Sequence, residues 1–278
     1  MQPCQPVDAF PSLVLPAVAL LAAGVGAGFA GGLFGIGGGF VVVPAMVLLL
    51  PLLGAAPQQI THVAIGTSLA TIIFTSLRSV AAHARRDAVD FGVLRSWAPW
   101  VALGTVGGIM LADRVSGPVL ATIFGCGVLL FAAYFLLPDR IGRRTFATMP
   151  GGAMRVSLAG GLGMLSALLG IGGGTIATLV MTSCGTPIHR AIGTASGMGA
   201  VIALPGMIGF MLIGRGQAGL PWGSVGFVNI PAALAIVVAA VIAAPWGVAA
   251  AHRLTPALLR SVFGFYLVVV GVTMIANR

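Results

Sequence analysis

Long apolar runs, separated by short polar connections, fill almost the whole chain. A helix needs about 20 apolar residues to cross a hydrocarbon core of about 30 Å, and most of these runs approach or exceed that length. The pattern therefore predicts an all-α polytopic membrane protein. The ten predicted segments are 12–34, 39–54, 61–82, 93–112, 117–137, 154–169, 174–184, 190–213, 224–250 and 256–276.

Three motifs occur twice along the chain, in the same order. The two copies of each motif are separated by 135, 127 and 139 residues. Because the order is the same and the separations are similar, the motifs indicate one duplicated unit. The pairs are "GIGGG" at 35–39 and 170–174, "HVAIGTS" from His62 and "HRAIGTA" from His189, and "ADRVSGPVLATIFG" from Ala112 and "AHRLTPALLRSVFG" from Ala251.

The longest polar connection, residues 138–155, separates the two copies. We predict a first transmembrane repeat at 1–137, a cytoplasmic linker at 138–153 and a second transmembrane repeat at 154–278. Each repeat holds five segments, which is an odd number. If every segment crosses, the second repeat is inverted relative to the first (5+5), as in many secondary transporters.

Arginine provides the signal for orientation, because all fourteen basic residues are arginines. The connections 83–95 and 138–155 hold three and four of them, whereas the connection 51–61 holds none. Under the positive-inside rule, this bias predicts that both termini lie outside, with a periplasmic N-terminus. The second half is nearly neutral. The first ten residues contain no basic side chain, so we expect the first run to be retained rather than removed as a signal peptide.

The composition excludes several classes of protein. Only 7% of residues are charged, against about a quarter in soluble domains. A net charge of +9 alone would suggest nucleic acid, but no basic soluble segment interleaved with aromatic residues exists, so we predict no nucleic-acid partner. Cys4, Cys126 and Cys184 lack metal-ligand spacing, and we predict neither a metal nor a cofactor. The expected partner is the lipid bilayer, and a homo-oligomer is compatible with the sequence.

The two glycine motifs are followed by short apolar segments. Residues 174–184 provide about 16 Å of helix, roughly half a membrane, so the motifs are predicted to be turns in broken or re-entrant helices. Glycine reaches positive φ without penalty and lets a ligand approach the backbone. A helix that starts there presents free N–H groups and a positive dipole end to an anion. The alternative is close helix packing by small residues. The predicted substrate-binding glycines are Gly37, Gly38, Gly39, Gly172, Gly173 and Gly174.

Polar side chains form a stripe on the segment 61–82. Thr67, Thr71, Thr75 and Arg78 share one helical face, which favours an aqueous path for an anion with Arg78 as a binding residue. The alternative for Arg78 is contact with lipid phosphates at the membrane surface. Hydroxyl groups from both repeats are also predicted to bind the substrate: Thr67, Ser68, Thr194 and Ser196.

His62 and His189, which the repeat pairs, are candidates for proton coupling, because histidine titrates near neutral pH. The alternative is a histidine at a helix start that is hydrogen-bonded to backbone. The apolar segments contain no carboxylate, which argues against cation transport through carboxylate sites. Sodium bound by backbone carbonyls remains open.

The motifs "GLFGIGGGFVVVPAMVLL", "HVAIGTSLATIIFTSL", "ALLGIGGG", "HRAIGTASG" and "VGFVNIPAAL" resemble the sulfite exporter TauE/SafE family over about residues 13–276. The resemblance implies a bacterial inner-membrane permease for sulfur-containing anions such as sulfite, organosulfonates or sulfoacetate. Leu179 stands where the first copy has Pro44, so the resemblance assigns the binding role to the first motif more directly than to the second.

The sequence therefore predicts a secondary transporter, not an enzyme, that moves a small sulfur-containing oxyanion by alternating access. A passive anion channel is the first alternative. An intramembrane redox or enzyme subunit that uses Cys184 and His189 is the second. The particular anion, the direction of transport, the coupling ion and the oligomeric state stay open.

Overall fold

A computed structural model describes residues 9–34, 38–137, 149–251 and 256–276, and Gly37 and most of the predicted linker lie outside this part. The described chain is almost entirely helical, which confirms the all-α prediction. Its α-helices are α1 (Ala9–Phe34), α2 (Gly39–Leu49), α3 (Ile60–Ala84), α4 (Phe91–Arg114), α5 (Gly117–Leu136), α6 (Gly152–Leu169), α7 (Gly174–Ser183), α8 (Ile188–Ile213), α9 (Ile230–Ala251) and α10 (Pro256–Ala276).

Within the described ranges, five helices are long and apolar enough to cross a membrane: α3, α5, α6, α8 and the part Ile230–Gly247 of α9. Shorter apolar helices include α7 and the stretch Gly39–Leu53. Large apolar side chains project outward, and Leu130 is 74% exposed. Such an apolar exterior is expected where lipid, rather than water, surrounds the protein.

Two predicted segments have a different shape in the structure. The run 39–54 ends as α2 at Leu49 and continues as a 3₁₀ turn, Leu50–Leu53, because Pro51 lacks the N–H that an α-helix requires. The run 224–250 begins with a hairpin, β1 (Ser224–Val225) antiparallel to β2 (Val228–Asn229), before α9 starts. Gly226 turns this hairpin at φ 57°, where a side chain would overlap the carbonyl oxygen of Met211.

Glycines bring two pairs of parallel helices into close contact. In the pair α1–α9, a Cβ on Gly24 would lie 2.7 Å from the carbonyl oxygen of Ile236, and one on Gly28 would overlap the backbone of Ala240. In the pair α4–α6, Gly104 meets the backbone of Gly160 in the same way. Small residues therefore permit backbone contact between helices that have no hydrophobic drive to associate within lipid.

The other two main pairs are antiparallel. Along α3 and α8, Gly206 faces Leu69 and Gly199 faces Ser76. Between α5 and α10, a Cβ on Gly125 would lie 3.0 Å from the carbonyl oxygen of Gly271. Helices α3 and α8 occupy the same position in the two copies of the repeated unit, as do α5 and α10.

The helix bundle has two distinct ends. At one end, which we call the arginine-rich end (residues 83–95 and 184–190), Arg190 Nε lies 3.9 Å from Asp90 Oδ2. At the other, the hairpin end (residues 54–59, 112–117 and 214–229), the N–H of Ala56 donates to the carbonyl oxygen of Gly219 over 2.8 Å. Because α9 starts at the hairpin end and α1 runs parallel to it, the N-terminal end of α1 lies there too.

Substitution of Gly104 by Ala is expected to lower the stability of the bundle by about 1–3 kcal/mol, because the added methyl overlaps the backbone of Gly160. Gly107 is the matched control on the same helix, since a Cβ there meets nothing within 4 Å. Gly107→Ala should leave stability unchanged or raise it through helix propensity. Thermal unfolding in detergent measures both, and equal effects would contradict the packing role of Gly104.

Candidate functional site

The described residues of both glycine motifs include glycines with left-handed backbone inside the bundle. Gly38 is the N-cap of α2 with φ 75°, and Gly173 is the N-cap of α7 with φ 64°. Both are buried, and neither helix start has a side-chain cap. The predicted positive φ is therefore confirmed at Gly38 in the described part of the first motif and at Gly170 and Gly173 in the second. The first N–H groups of α7 have no intrahelical acceptor, because every α-helix leaves such donors free.

The two glycine turns touch each other next to the middle of α3. A Cβ on Gly39 would lie 2.8 Å from the carbonyl oxygen of Gly170 and 3.2 Å from Cδ1 of Ile72. Ser68 on α3 donates its hydroxyl hydrogen to the same Gly170 oxygen over 2.8 Å. Ser68 thus fixes the second turn to α3.

A cavity of about 320 Å³ extends from the second glycine turn toward the arginine-rich end, between α1, α3, α8 and α9. Thr75 on α3 lies in its inner part, and Arg86, just beyond the end of α3, lies in its outer part. Among the described residues that line it, none is a carboxylate. Its polar lining consists of Gly172, Gly174, Thr75, Ser76, Ser79, Ser196, Arg78, His83 and Arg86.

Only some of the predicted binding residues line this cavity. Arg78, Ser196, Gly172 and Gly174 line it, and Ser196 shares a 2.9 Å hydrogen bond with Ser79 across the α3–α8 interface. The other described candidates lie among packed groups outside the lining: Gly38, Gly39, Gly173, Thr67, Ser68 and Thr194. The cavity therefore reaches the second motif, whereas the resemblance favoured the first.

Thr67 and Thr194 are at equivalent positions in the repeat. Each accepts a hydrogen bond from the residue that precedes a helix, at opposite ends of the bundle. The N–H of Asn229 donates to Thr67 Oγ1 over 3.0 Å at the hairpin end. The N–H of Asp90 donates to Thr194 Oγ1 over 2.8 Å at the arginine-rich end. We call these two contacts the Asx–Thr ties.

Asp90 and Asn229, which take part in these ties, also cap the starts of two helices that are equivalent in the repeat. Asp90 Oδ1 accepts from the N–H of Val93 at the start of α4 over 3.0 Å. Asn229 Oδ1 accepts from the N–H of Ala232 at the start of α9 over 2.9 Å. The separation of Asp90 and Asn229 is 139 residues, the same offset that relates Ala112 to Ala251. The repeated motifs did not reveal this pair. What Asp90 and Asn229 share is that each accepts from the N–H three residues later.

The two predicted proton-coupling histidines lie outside the cavity lining and at different ends of the bundle. His62 is buried at the hairpin end, where its Nε2 lies 3.0 Å from the carbonyl oxygen of Ala112 and its ring packs on Phe227 at 4.9 Å. The position of His62 therefore matches the alternative given for it, a histidine at a helix start that is hydrogen-bonded to backbone. His189 is exposed at the arginine-rich end. The cavity contains His83 instead, which sequence reasoning missed although it continues the spacing of four from Thr75 and Ser79.

A second, larger cavity of about 510 Å³ lies at the hairpin end between α2, α3, α5 and α10. It shares no lining residue with the first cavity, and its described lining contains no charged side chain. Its walls are mostly proline and aliphatic side chains, such as Pro44, Pro51 and Leu48. For an anion, the smaller cavity with its two arginines is therefore the better candidate site.

The fold and this site define a multi-pass membrane protein of the transporter class. The family model "Sulfite exporter TauE/SafE" matches residues 20–274. The chain belongs to this family, as its motifs indicated.

Relatives of similar length carry transporter names. A "Probable membrane transporter protein" of Haemophilus influenzae is 32% identical over 259 residues, which cover 91% of this chain and 96% of the relative. One of Methanocaldococcus jannaschii is 26% identical, with 95% and 96% covered. YunE of Bacillus subtilis, also a "Probable membrane transporter protein", is 29% identical, with 57% of this chain and 64% of the relative covered. No solved structure matches this chain.

Removal of the hydroxyl in the Asx–Thr ties should destabilise the two ends unequally. Thr67→Val leaves the buried N–H of Asn229 without an acceptor, at a cost of about 1–3 kcal/mol and several degrees in melting temperature. Thr194→Val should cost less, because Asp90 is only half-buried and water replaces the lost acceptor. Thr273→Val is the control, since that exposed hydroxyl bonds only within α10. Equal melting temperatures for Thr67→Val and the control would contradict the tie.

Proposed function

We propose that this protein is a secondary transporter that moves a small sulfur-containing oxyanion, such as sulfite or an organosulfonate, across the bacterial inner membrane by alternating access. The observation that carries the proposal is the cavity of about 320 Å³ with Arg78, Arg86 and the second glycine turn in its walls. Volumes of about 300–1,000 Å³ are typical of small-molecule sites.

The charges and dipoles around the cavity all favour a negative solute. Arg78 and Arg86 contribute positive charge, and Gly174 at the start of α7 contributes the positive end of a helix dipole. The hydroxyl of Ser76 adds a neutral donor, whereas Ser196 already donates to the carbonyl oxygen of Ile192 and Ser79 is bonded to Ser196. With reduced solvent around the site, such interactions are stronger than in water. A cation would meet no compensating carboxylate among the described lining residues.

Access from one end supports alternating access rather than an open pore. Beyond the second glycine turn, a Cβ on Gly172 would meet Ile72 at 3.0 Å and one on Gly170 would meet Val43 at 3.0 Å. Nearer the hairpin end, Gly66 packs directly against Phe227. These contacts separate the cavity from the hairpin end, so a solute entering from the arginine-rich end would stop at the turn.

The internal pairing of helices supports an inverted duplication. Helix α1 runs from the hairpin end and α6 from the arginine-rich end, although they are equivalent in the repeat. The Asx–Thr ties follow the same relation, one at each end. With the arginine-rich end in the cytoplasm, the N-terminus is periplasmic, in keeping with the positive-inside rule.

The alternatives have less support. A passive anion channel needs a path open at both ends, and the packing around Gly170 and Gly172 opposes it. An intramembrane redox or enzyme role would need an activated thiol, but burial raises the pKa of the Cys184 thiol and so disfavours the thiolate.

Binding to purified protein tests the proposal. A panel of sulfite, sulfoacetate, taurine, sulfate and thiosulfate should include at least one ligand that binds saturably. Arg78→Gln and Arg86→Gln should each weaken that ligand by about tenfold or more, because a charge-assisted hydrogen bond is lost. Arg114→Gln is the matched control, since Arg114 is an exposed arginine outside the cavity lining. Unchanged affinity in both cavity variants would contradict the site.

Flux through proteoliposomes separates the transporter from a channel. A transporter should show saturation with substrate and acceleration of uptake by the same anion inside the vesicle. A linear, unsaturated flux without such trans-stimulation would overturn alternating access.

A further inference from the structure

The N-cap glycines of α2 and α7 share a left-handed conformation but have different chemical surroundings. Gly38 has φ 75° and Gly173 has φ 64°. The residue two positions after the cap is Phe40 in the first case and Thr175 in the second, which the repeat makes equivalent. The two helix starts therefore differ in the side chains that surround them.

The first turn is held by apolar and aromatic packing. The ring of Phe40 is buried and meets Phe131 edge-on, with ring centroids 5.3 Å apart. The carbonyl oxygen of Phe40 accepts the hydroxyl hydrogen of Tyr266 on α10 over 3.2 Å. A Cβ on Gly38 would lie 2.9 Å from the carbonyl oxygen of Ala27 on α1. The described groups of this turn therefore already have protein partners.

The second turn is surrounded by hydroxyl groups that have no partner. Ser166 is fully buried and Thr175 is 6% exposed, yet neither side-chain oxygen makes a hydrogen bond within the described structure. Ser166 Oγ lies 2.9 Å from the position that a Cβ of Gly173 would take, directly beside the N-cap of α7. Thr175 lies in the first turn of α7 itself. Buried polar groups without partners are rare and call for a missing ligand or water.

The groups gathered at this turn are donors. The first N–H groups of α7 lack intrahelical acceptors, and the two hydroxyls can each donate one hydrogen. The cavity reaches the turn through Gly172 and Gly174, which flank Gly173 in the sequence, and it also contains Arg78. A solute with several acceptor oxygens and negative charge would satisfy all of these groups together.

We infer that Ser166 and Thr175 bind the oxygen atoms of the transported oxyanion at the start of α7, so that the second glycine turn binds substrate and the first is structural. The inference rests on the proposed function and assigns its recognition to one of the two repeated motifs. It adds two residues that lie outside the cavity lining. Both are absent from the first motif, where Gly31 and Phe40 occupy the equivalent positions.

The test measures affinity and ligand-free stability in the same variants, with sulfite and sulfoacetate as probes. Ser166→Ala and Thr175→Val remove one hydroxyl each without adding bulk. Each should weaken binding by about tenfold, because one hydrogen bond to a charged group is lost. Neither should lower the ligand-free melting temperature, because no protein partner is left unpaired.

Two further variants serve as matched controls. Thr182→Val removes a hydroxyl from the same α7 that already donates to the carbonyl oxygens of Thr178 and Leu179, so affinity should stay the same. Tyr266→Phe removes the hydrogen bond to the first turn, and it should lower the melting temperature while affinity stays unchanged.

The outcomes separate the inference from the function on which it rests. If the wild type binds a probe and Ser166→Ala and Thr175→Val bind it equally well, the inference is wrong and the proposed function stands. A sodium-dependent rise in melting temperature that both variants lose, with anion affinity unchanged, would assign the hydroxyls to a cation and overturn the inference. If the wild type binds no anion of the panel, the proposed function fails and the inference fails with it.

Discussion

The need to satisfy backbone polar groups within the bilayer constrains this fold more than any other requirement. Helices that start at Gly38 and Gly173 leave N–H groups free deep in the bundle, where lipid offers no acceptor. Such irregular backbone survives only where protein or a water-filled cavity surrounds it. Here the two turns contact each other through Gly39 and Gly170, and α3 covers both. The central position of α3 and the location of the cavity follow from this requirement.

Close approach of backbones is the second consequence of the lipid environment. Glycines on α1, α4 and α6 allow carbonyl oxygens of neighbouring helices to lie where a side chain would otherwise be. Dispersion contacts and helix ties then replace the hydrophobic effect, which supplies no drive between helices in lipid. The same small residues leave room beside the second turn, so that they serve both the packing of helices and the candidate site.

Duplication and divergence together explain how two similar motifs serve different purposes. The Asx–Thr ties retain the repeat at both ends, although one cap is Asp90 and the other Asn229. At the turns, two positions distinguish the copies: Thr175 stands where Phe40 completes an aromatic cluster, and Ser166 stands where the first copy has Gly31, so that the second turn gains two hydroxyls without partners. A symmetric scaffold with one asymmetric site suits a transporter that carries one solute along one path.

The sequence alone determined the helical class, the positive φ within the glycine motifs and the family, because these depend on local composition, periodicity and motif order. It did not determine that Thr67 and Thr194 bond to the starts of α9 and α4, since those partners are 162 and 104 residues away. It also gave His62 and His189 as the candidates for proton coupling, whereas the histidine in the cavity lining is His83. Which members of a polar stripe reach a cavity depends on how neighbouring helices cover it, and only the tertiary packing decides that.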